Sequence, residues 1–135
     1  MSYHYSVTLS AGFDETIENV TEELQREGFG ILTEIDVAAT LKKKLDVDFR
    51  DYRILGACNP AFAYQALQSE DHIGVMLPCN VVVQRRDGDQ VEVSAVDPVM
   101  SMSAVENPEL GKIAEQVRSK LRQVIDNLVA ARAAS

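Results

Sequence analysis

The stretch from residue 53 to residue 83 constrains the fold more than any other part of the chain. It contains both cysteines and two of the four prolines of the sequence. Each cysteine is followed by an asparagine, as Cys58-Asn59 and as Cys79-Asn80, and each pair lies at one end of an apolar run. Short apolar runs that end at Gly, Pro or Asn are typical of buried strands. The stretch therefore predicts two strands with a polar dipeptide at one end of each.

The first of these pairs lies where a strand gives way to a helix. Gly56 lets the backbone pass close to a neighbour. Asn59 is a favourable N-cap, and Pro60 suits the first helical position because its missing N–H would have no partner there. Cys58 is thus predicted to precede a helix N-terminus, where free N–H groups favour anions and can lower a thiol pKa. The alternative is a small buried cysteine that only packs.

The second pair follows a proline and opens a strand. Pro78 interrupts any hydrogen-bonded ladder, so it predicts an edge, a bulge or the first residue of a strand. Twenty-one positions separate Cys58 from Cys79, and this spacing fits no zinc site made of Cys-x-x-Cys knuckles. The two thiols would still meet if their strands were neighbours.

Hydrophobic periodicity predicts the remaining elements. Strands are expected at residues 3–9, 29–36, 81–85 and 90–95, and helices at residues 14–27, 37–45, 61–67 and about 108–128. Asp36 is expected to cap the second helix, whose Leu41 and Leu45 would face inward. Asp87-Gly88 predicts a tight hairpin turn. Asp97-Pro98 ends a strand, and residues 99–106 are expected to form an irregular loop.

The order β-α-β-α-β-α-β-β-α predicts an α+β fold. Strand–helix–strand units favour parallel pairing, whereas the hairpin is antiparallel. The expected architecture is a two-layer α/β sandwich with a mixed sheet of about five strands and helices packed on it. Residues 1–135 are expected to form a single domain, with an ordered core at about 3–128 and a fraying tail at 129–135.

Charge and cysteine content narrow the class of protein. The formal net charge is −8, which argues against nucleic acid or an anionic membrane as a partner because both need a basic face. The N-terminus lacks the basic and apolar regions of a signal peptide, and two cysteines in an otherwise ordinary domain favour the reducing cytoplasm.

The long last helix carries an apolar face that must pack against a sheet, or against a sheet and a partner chain. A homodimer is therefore also expected.

Several segments together resemble a known family. They are 28–36, 40–45, 52–60, 66–67, 73–74, 77–80 and 97–98, of which Cys58-Asn59-Pro60 and Pro78-Cys79-Asn80 are specific in combination. The chain is similar in these segments to the domain-of-unknown-function family 302, a family of small bacterial and archaeal proteins. The resemblance covers most of residues 5–128 and implies a compact two-layer α/β domain that is commonly dimeric. It implies no activity.

The motifs of several enzyme classes are missing. The sequence has no Gly-x-Gly-x-x-Gly, no phosphate-binding loop and no Gly-x-Ser-x-Gly. His4 and His72 are the only imidazoles, and His72 lies in a polar loop where it is expected to be solvated. No acid–base pair is visible and no motif indicates a cofactor, so a binding or interaction protein is favoured over an enzyme.

Three functional hypotheses remain open. In the first, Cys58, Asn59, Cys79, Asn80 and Lys44 line a cleft for a small ligand such as an anion. In the second, the two cysteines carry out sulfur or redox chemistry or bind a soft metal, for which two thiolates alone are too few ligands for a closed zinc site. In the third, the Cys-Asn pairs are structural and the protein is an interaction module.

Overall fold

A five-stranded sheet forms the centre of the molecule. The computed structural model describes the backbone of residues 2–134 and the side chains of residues 2–130. The strands are β1 (His4–Ser10), β2 (Gly30–Asp36), β3 (Tyr52–Cys58), β4 (Cys79–Arg85) and β5 (Gln90–Val96). The helices are α1 (Phe13–Arg26), α2 (Val37–Leu45), α3 (Pro60–Ser69), α4 (Pro98–Ser101) and α5 (Pro108–Ala134), with a 3₁₀ helix at Ile73–Met76.

The strands are arranged in the order β1-β5-β4-β3-β2. All four neighbouring pairs in this sheet are antiparallel. The predicted α+β class, the five strands and the order of the elements are confirmed, but the prediction of a mixed sheet is wrong. A parallel crossover needs a helix that packs across the sheet. No residue of α2 is buried, so the segment between β2 and β3 works as a long hairpin connection instead.

One face of the sheet carries the main core. Paired buried positions on adjacent strands, such as Leu55 opposite Val81 and Val83 opposite Val93, lie on this face. They pack with the apolar stripes of α1 and α5, for example Leu24 and Leu121, each at most 1 % exposed. A smaller cluster joins α3, the 3₁₀ helix and the start of α5. This second cluster lies where the candidate site forms.

The β2 edge of the sheet is unusually open. Leu45 was expected to face inward but is 65 % exposed, and Leu41 is only half-buried. Both predictions fail because α2 lies beside β2 and β3, at the end of the sheet order, where no further layer covers it. The Asp36 cap is confirmed, since its carboxylate accepts a hydrogen bond of 2.9 Å from the amide of Ala39.

Two segments in the C-terminal half of the chain differ from the secondary structure predicted from the sequence. Residues after Asp97 form the one-turn helix α4 before the chain becomes irregular. The last helix continues past the expected end at Leu128 to Ala134. Ser135 and the side chains of residues 131–134, on which the expected fraying tail falls, lie outside the described residues. Within residues 2–134, no helix combines the length and apolar character needed to cross a membrane.

Candidate functional site

Asn59 connects the end of one helix to the start of another. Its Oδ1 accepts a hydrogen bond from the amide of Phe62 at 3.5 Å, which makes it the N-cap of α3 as expected. Its Nδ2 donates to the carbonyl oxygen of Glu27, the C-cap of α1, at 3.4 Å. The side chain therefore satisfies one free donor and one free acceptor at two helix ends. Its amide is committed to the fold.

Gly56 is the point of closest approach between three segments. A Cβ at this position would lie 2.7 Å from Cγ of Pro78 and would overlap Oγ1 of Thr33. Thr33 follows the bulge in β2, and Pro78 precedes β4. The expected close passage of the backbone at Gly56 is confirmed, and it holds Pro78 and the following Cys79 tightly against β3.

Beside these contacts the structure contains a cavity of about 340 Å³. Residues of β2, β3, α3, α5 and the segments around the 3₁₀ helix and α4 form its walls. The lining residues are Phe29, Leu32, Ala57, Cys58, Asn59, Phe62, Ala63, Ala66, Leu67, Gly74, Leu77, Pro78, Cys79, Pro98, Met102, Ile113, Ala114 and Val117. Nearly all are apolar. Mostly apolar cavities of a few hundred Å³ with a few polar groups are typical of small-molecule sites.

Both cysteines reach this cavity. Ala57 pairs with Cys79 in the sheet register, so Cys58 lies one residue away from the position opposite Cys79. Both thiols are free, Cys58 is half-buried and Cys79 is 8 % exposed. Burial, and to a lesser extent the negative charge that Cys58 can carry, raises the pKa of the Cys79 thiol to about 11. Cys79 is therefore protonated at neutral pH.

The other two candidate residues lie elsewhere. Asn80 is exposed and pairs with Gly56, and it is not one of the residues that line the cavity. Lys44 is exposed on α2 and is also outside the lining. His72, whose side chain is 91 % exposed, is solvated as expected. The structure thus brings together Cys58, Asn59 and Cys79 of the candidate set.

Sequence reasoning missed the wall that α4 and α5 contribute. Met102, Ile113 and Val117 line the cavity from this side, although they are distant in sequence from both cysteines. One local signal was available for α4, because Asp97-Pro98 has the same N-cap and first-position pattern as Asn59-Pro60. For α5, nothing in the neighbouring sequence distinguishes the apolar residues that line the cavity from those that pack in the core.

Asp97 holds this wall in place. The carboxylate is 5 % exposed, and its Oδ1 accepts hydrogen bonds from the amides of Val99 and Met100 at 2.9 and 3.3 Å. Its Oδ2 lies 3.8 Å from Arg118 and 3.6 Å from Arg122, both on α5. The buried charge is thus compensated by amides and two guanidinium groups. This arrangement ties α4, and with it Met102, to α5.

The described residues contain no group of three or more His, Cys, Asp or Glu side chains that could hold a metal ion. Among the described side chains that line the cavity, Cys58 and Cys79 are the only members of that donor class. A closed zinc site needs four such ligands.

Comparisons with known proteins place this geometry in context. Residues 5–128 match the family model described as domain of unknown function DUF302. The crystal structure of uncharacterized conserved protein DUF302 from Bacillus stearothermophilus is similar to the chain, with 33 % sequence identity and a TM-score of 0.87. The alignment covers 93 % of this chain and 98 % of that one. A comparison with curated proteins gave no significant match.

Proposed function

This chain belongs to the DUF302 family, and from the geometry of its cavity we propose that it is a binding protein for a small, mostly apolar molecule. The observation that carries the proposal is the apolar cavity of about 340 Å³ beside the two Cys-Asn pairs. Burial of apolar ligand surface there would contribute about 25 cal/mol per Å². The thiols of Cys58 and Cys79 would give the ligand its few polar contacts.

The lining favours an apolar ligand over the anion considered from the sequence. Lys44 is not among the lining residues, and the Oδ1 of Asn59 already occupies the first-turn amide of Phe62. An anion in this cavity would lose its hydration without gaining a positive charge from a lining side chain. The cavity therefore suits an uncharged molecule, or the apolar part of a larger one.

Asn59 is a poor residue with which to test this proposal, because its replacement would disturb two helix ends whether or not it touches a ligand. A cavity-filling change on α3 is cleaner. Ala63 is half-buried and lines the cavity, whereas Ala61, on the same helix, is exposed and does not. Leucine is among the strongest helix formers after alanine, so the change in helix propensity is small and the same at both positions. They therefore form a matched pair of variants.

Ligand-observed NMR with the uncharged probes indole and 1-octanol provides the test. We expect the native protein and Ala61→Leu to bind a probe, and Ala63→Leu to bind it at least about tenfold more weakly, a loss of about 1.4 kcal/mol. Inorganic phosphate serves as the anion probe and should not bind. Equal affinity in Ala61→Leu and Ala63→Leu, or binding of phosphate alone, would contradict the proposal.

Thiol chemistry is the alternative function, favoured by the presence of two free cysteines at one cavity. The thiolate is the reactive form of cysteine, and the raised pKa of Cys79 keeps that thiol protonated. Chemistry of this kind would therefore begin at Cys58, which is also the more exposed of the two. Titration with a maleimide should modify one thiol per native chain and two after denaturation, and no native reaction would remove this alternative.

An interaction role is the third possibility, and we propose that the open β2 edge is where two copies would meet. Edge strands expose unpaired backbone groups that another strand can join. Exposed apolar side chains on β2, at the end of α2 and in the segment after it would add to such a contact; they are Leu32, Ile35, Leu45, Val47 and Phe49.

Sedimentation at micromolar concentration tests the homodimer. The native protein and Thr8→Lys, a control on the opposite edge strand β1, should sediment as dimers, and Ile35→Lys as a monomer. A monomeric native protein, or a dimer that survives Ile35→Lys, would refute this interface.

We propose the cytoplasm as the location of the protein. Both cysteines are free thiols, which fits a reducing compartment.

A further inference from the structure

The residues that line the cavity differ in exposure from one element to the next. The exposed members of the lining are Leu32 of β2, Leu67 of α3 and Gly74 of the 3₁₀ helix. Leu32 and Leu67 are 67 % and 45 % exposed. By contrast, Ala114 and Val117, which α5 contributes, are buried. The cavity thus has a mouth, formed by Leu32, Leu67 and Gly74, and a closed wall on α5.

Gly74 leaves unfilled space at this mouth. A Cβ at Gly74 would meet no atom within 4 Å, although the residue is part of the lining. The next residue, Val75, is 83 % exposed. A ligand that occupies the cavity can therefore extend into solvent beside Gly74, next to apolar side chains.

The closed wall offers little to a polar group. Its side chains on α5 are apolar, and the amide of Asn59 is already hydrogen-bonded to two helix ends. The remaining polar groups of the lining are the thiols of Cys58 and Cys79, which are weak hydrogen-bonding groups. Burial of a polar group without a hydrogen-bond partner is unfavourable, and burial of an unpaired charge is far more so. A strongly polar part of a ligand is therefore stable only at the mouth.

We propose that the ligand is an amphiphile, a molecule with an apolar part and one polar end, and that it binds in one orientation. Its apolar part packs against α5, and its polar end lies in solvent at the mouth, beside Leu32. This inference rests on the proposed function and adds to it the class of the ligand and the direction in which it enters. Leu32 then contacts the ligand instead of a second copy of the chain.

Charged relatives of the two uncharged probes test the orientation. Octyltrimethylammonium carries the chain of 1-octanol, and tryptamine, a cation at neutral pH, carries the ring of indole. A charge that stays in solvent costs little, so the charged relative of each probe that binds should bind within about fivefold of its parent. Ala63→Leu should weaken both members of the pair by at least about tenfold, because they share the cavity. Tetramethylammonium, a charged group without an apolar part, should not bind.

A matched pair of variants locates the polar end. Leu45, on α2, is 65 % exposed, nearly as much as Leu32, and does not line the cavity. Two opposite charges about 4 Å apart in water attract by about 1 kcal/mol, a factor of about five in affinity. Leu32→Glu should therefore favour the charged probe over its uncharged parent by about fivefold more than the native protein does. Leu45→Glu should leave this ratio unchanged at physiological ionic strength, where distant charges are screened.

Three results would overturn the inference. The first is an uncharged probe that binds while its charged relative does not, which would place the polar end inside the cavity. The second is an equal change of the affinity ratio in Leu32→Glu and Leu45→Glu. The third is binding of tetramethylammonium as tight as that of the charged probes.

Two features of the design keep these results interpretable. Circular dichroism identifies a glutamate variant that loses the fold, and the comparison of each probe with its charged relative in the native protein needs no variant. If neither 1-octanol nor indole binds the native protein, the proposed function itself fails, and the orientation fails with it. If a parent probe binds and the charged relative does not, only the orientation fails.

Discussion

Replacing Gly56 by alanine is predicted to destabilise the protein, although the same change often stabilises a strand. Gly→Ala at a compatible position stabilises a protein by about 0.4–1 kcal/mol, because it restricts the unfolded chain. Gly56 does not have a positive φ, so the backbone itself would accept alanine. The new Cβ, however, would lie 2.7 Å from Cγ of Pro78 and overlap Oγ1 of Thr33. Overpacking of this kind costs about 1–3 kcal/mol.

Urea denaturation measures this effect against a matched control. Gly30 is also a strand glycine without positive φ, but a Cβ there would meet nothing within 4 Å. Gly30→Ala should therefore be neutral or stabilising, and Gly56→Ala should lower the free energy of unfolding by about 1–3 kcal/mol with an unchanged m-value. Because Pro78 lines the cavity, Gly56→Ala should also weaken indole binding.

A double variant isolates the cause. Thr33→Ala removes the hydroxyl that the new methyl group would overlap, while Pro78 stays in place. Added to Gly56→Ala, it should restore part of the lost stability, with a coupling energy of about 0.5–2 kcal/mol. If Gly56→Ala is as stable as Gly30→Ala, or if the two changes at Gly56 and Thr33 are simply additive, the reasoning from close approach is refuted.

Three further predictions concern polar groups of the site. Asn59→Ala should lower the free energy of unfolding by about 1–2 kcal/mol in urea denaturation, and Asn59→Asp, which keeps the acceptor but loses the donor, should lie between that variant and the native protein. Asp97→Ala should cost about 2–4 kcal/mol in the same assay, because it removes a helix cap and leaves two guanidinium groups without their buried partner; a loss below 1 kcal/mol would contradict this role. Burial raises the pKa of the Cys79 thiol from 9.0 to about 11, so the unfolded state loses its proton first and the free energy of unfolding should fall by about 2 kcal/mol from pH 9 to pH 11. In Cys79→Ala the free energy of unfolding should not show this decrease between pH 9 and pH 11. If the native protein and Cys79→Ala have identical pH profiles, the thiol is not buried as the structure shows.

Local chemistry made several features of the fold predictable. The caps at Asp36 and Asn59 and the hairpin turn at Gly88, which has φ of 68°, are confirmed. Each depends on residues within a few positions of one another, so the sequence pattern is enough to specify it. The same reasoning identified Gly56 as a close approach, although it could not identify Thr33 and Pro78 as the neighbours.

The candidate site was predictable only in part. Cys58, Asn59, Cys79 and Asn80 were chosen because the two Cys-Asn pairs lie at the ends of apolar runs, and all of them except Asn80 line the cavity. Lys44 was chosen because its charge could bind an anion, and it does not line the cavity. An anion-binding cleft was expected from the dipole at the start of α3, but the helix end is satisfied by Asn59 and the remaining walls are apolar.

The sequence was enough to predict the order of the main elements, their approximate ends and the buried faces of α1 and α5, because these follow from periodicity and from contacts close in sequence. It did not predict that α2 would bury no residue or that α4 would form. Strand pairing required the tertiary structure, because the second strand of a strand–helix–strand segment can run parallel or antiparallel to the first. Here α2 does not cross the sheet, and β2 and β3 are antiparallel. The cavity also required it. Its wall combines Cys58, Cys79, Met102 and Val117, which only long-range packing of α4 and α5 against the ends of β3 and β4 brings to one place.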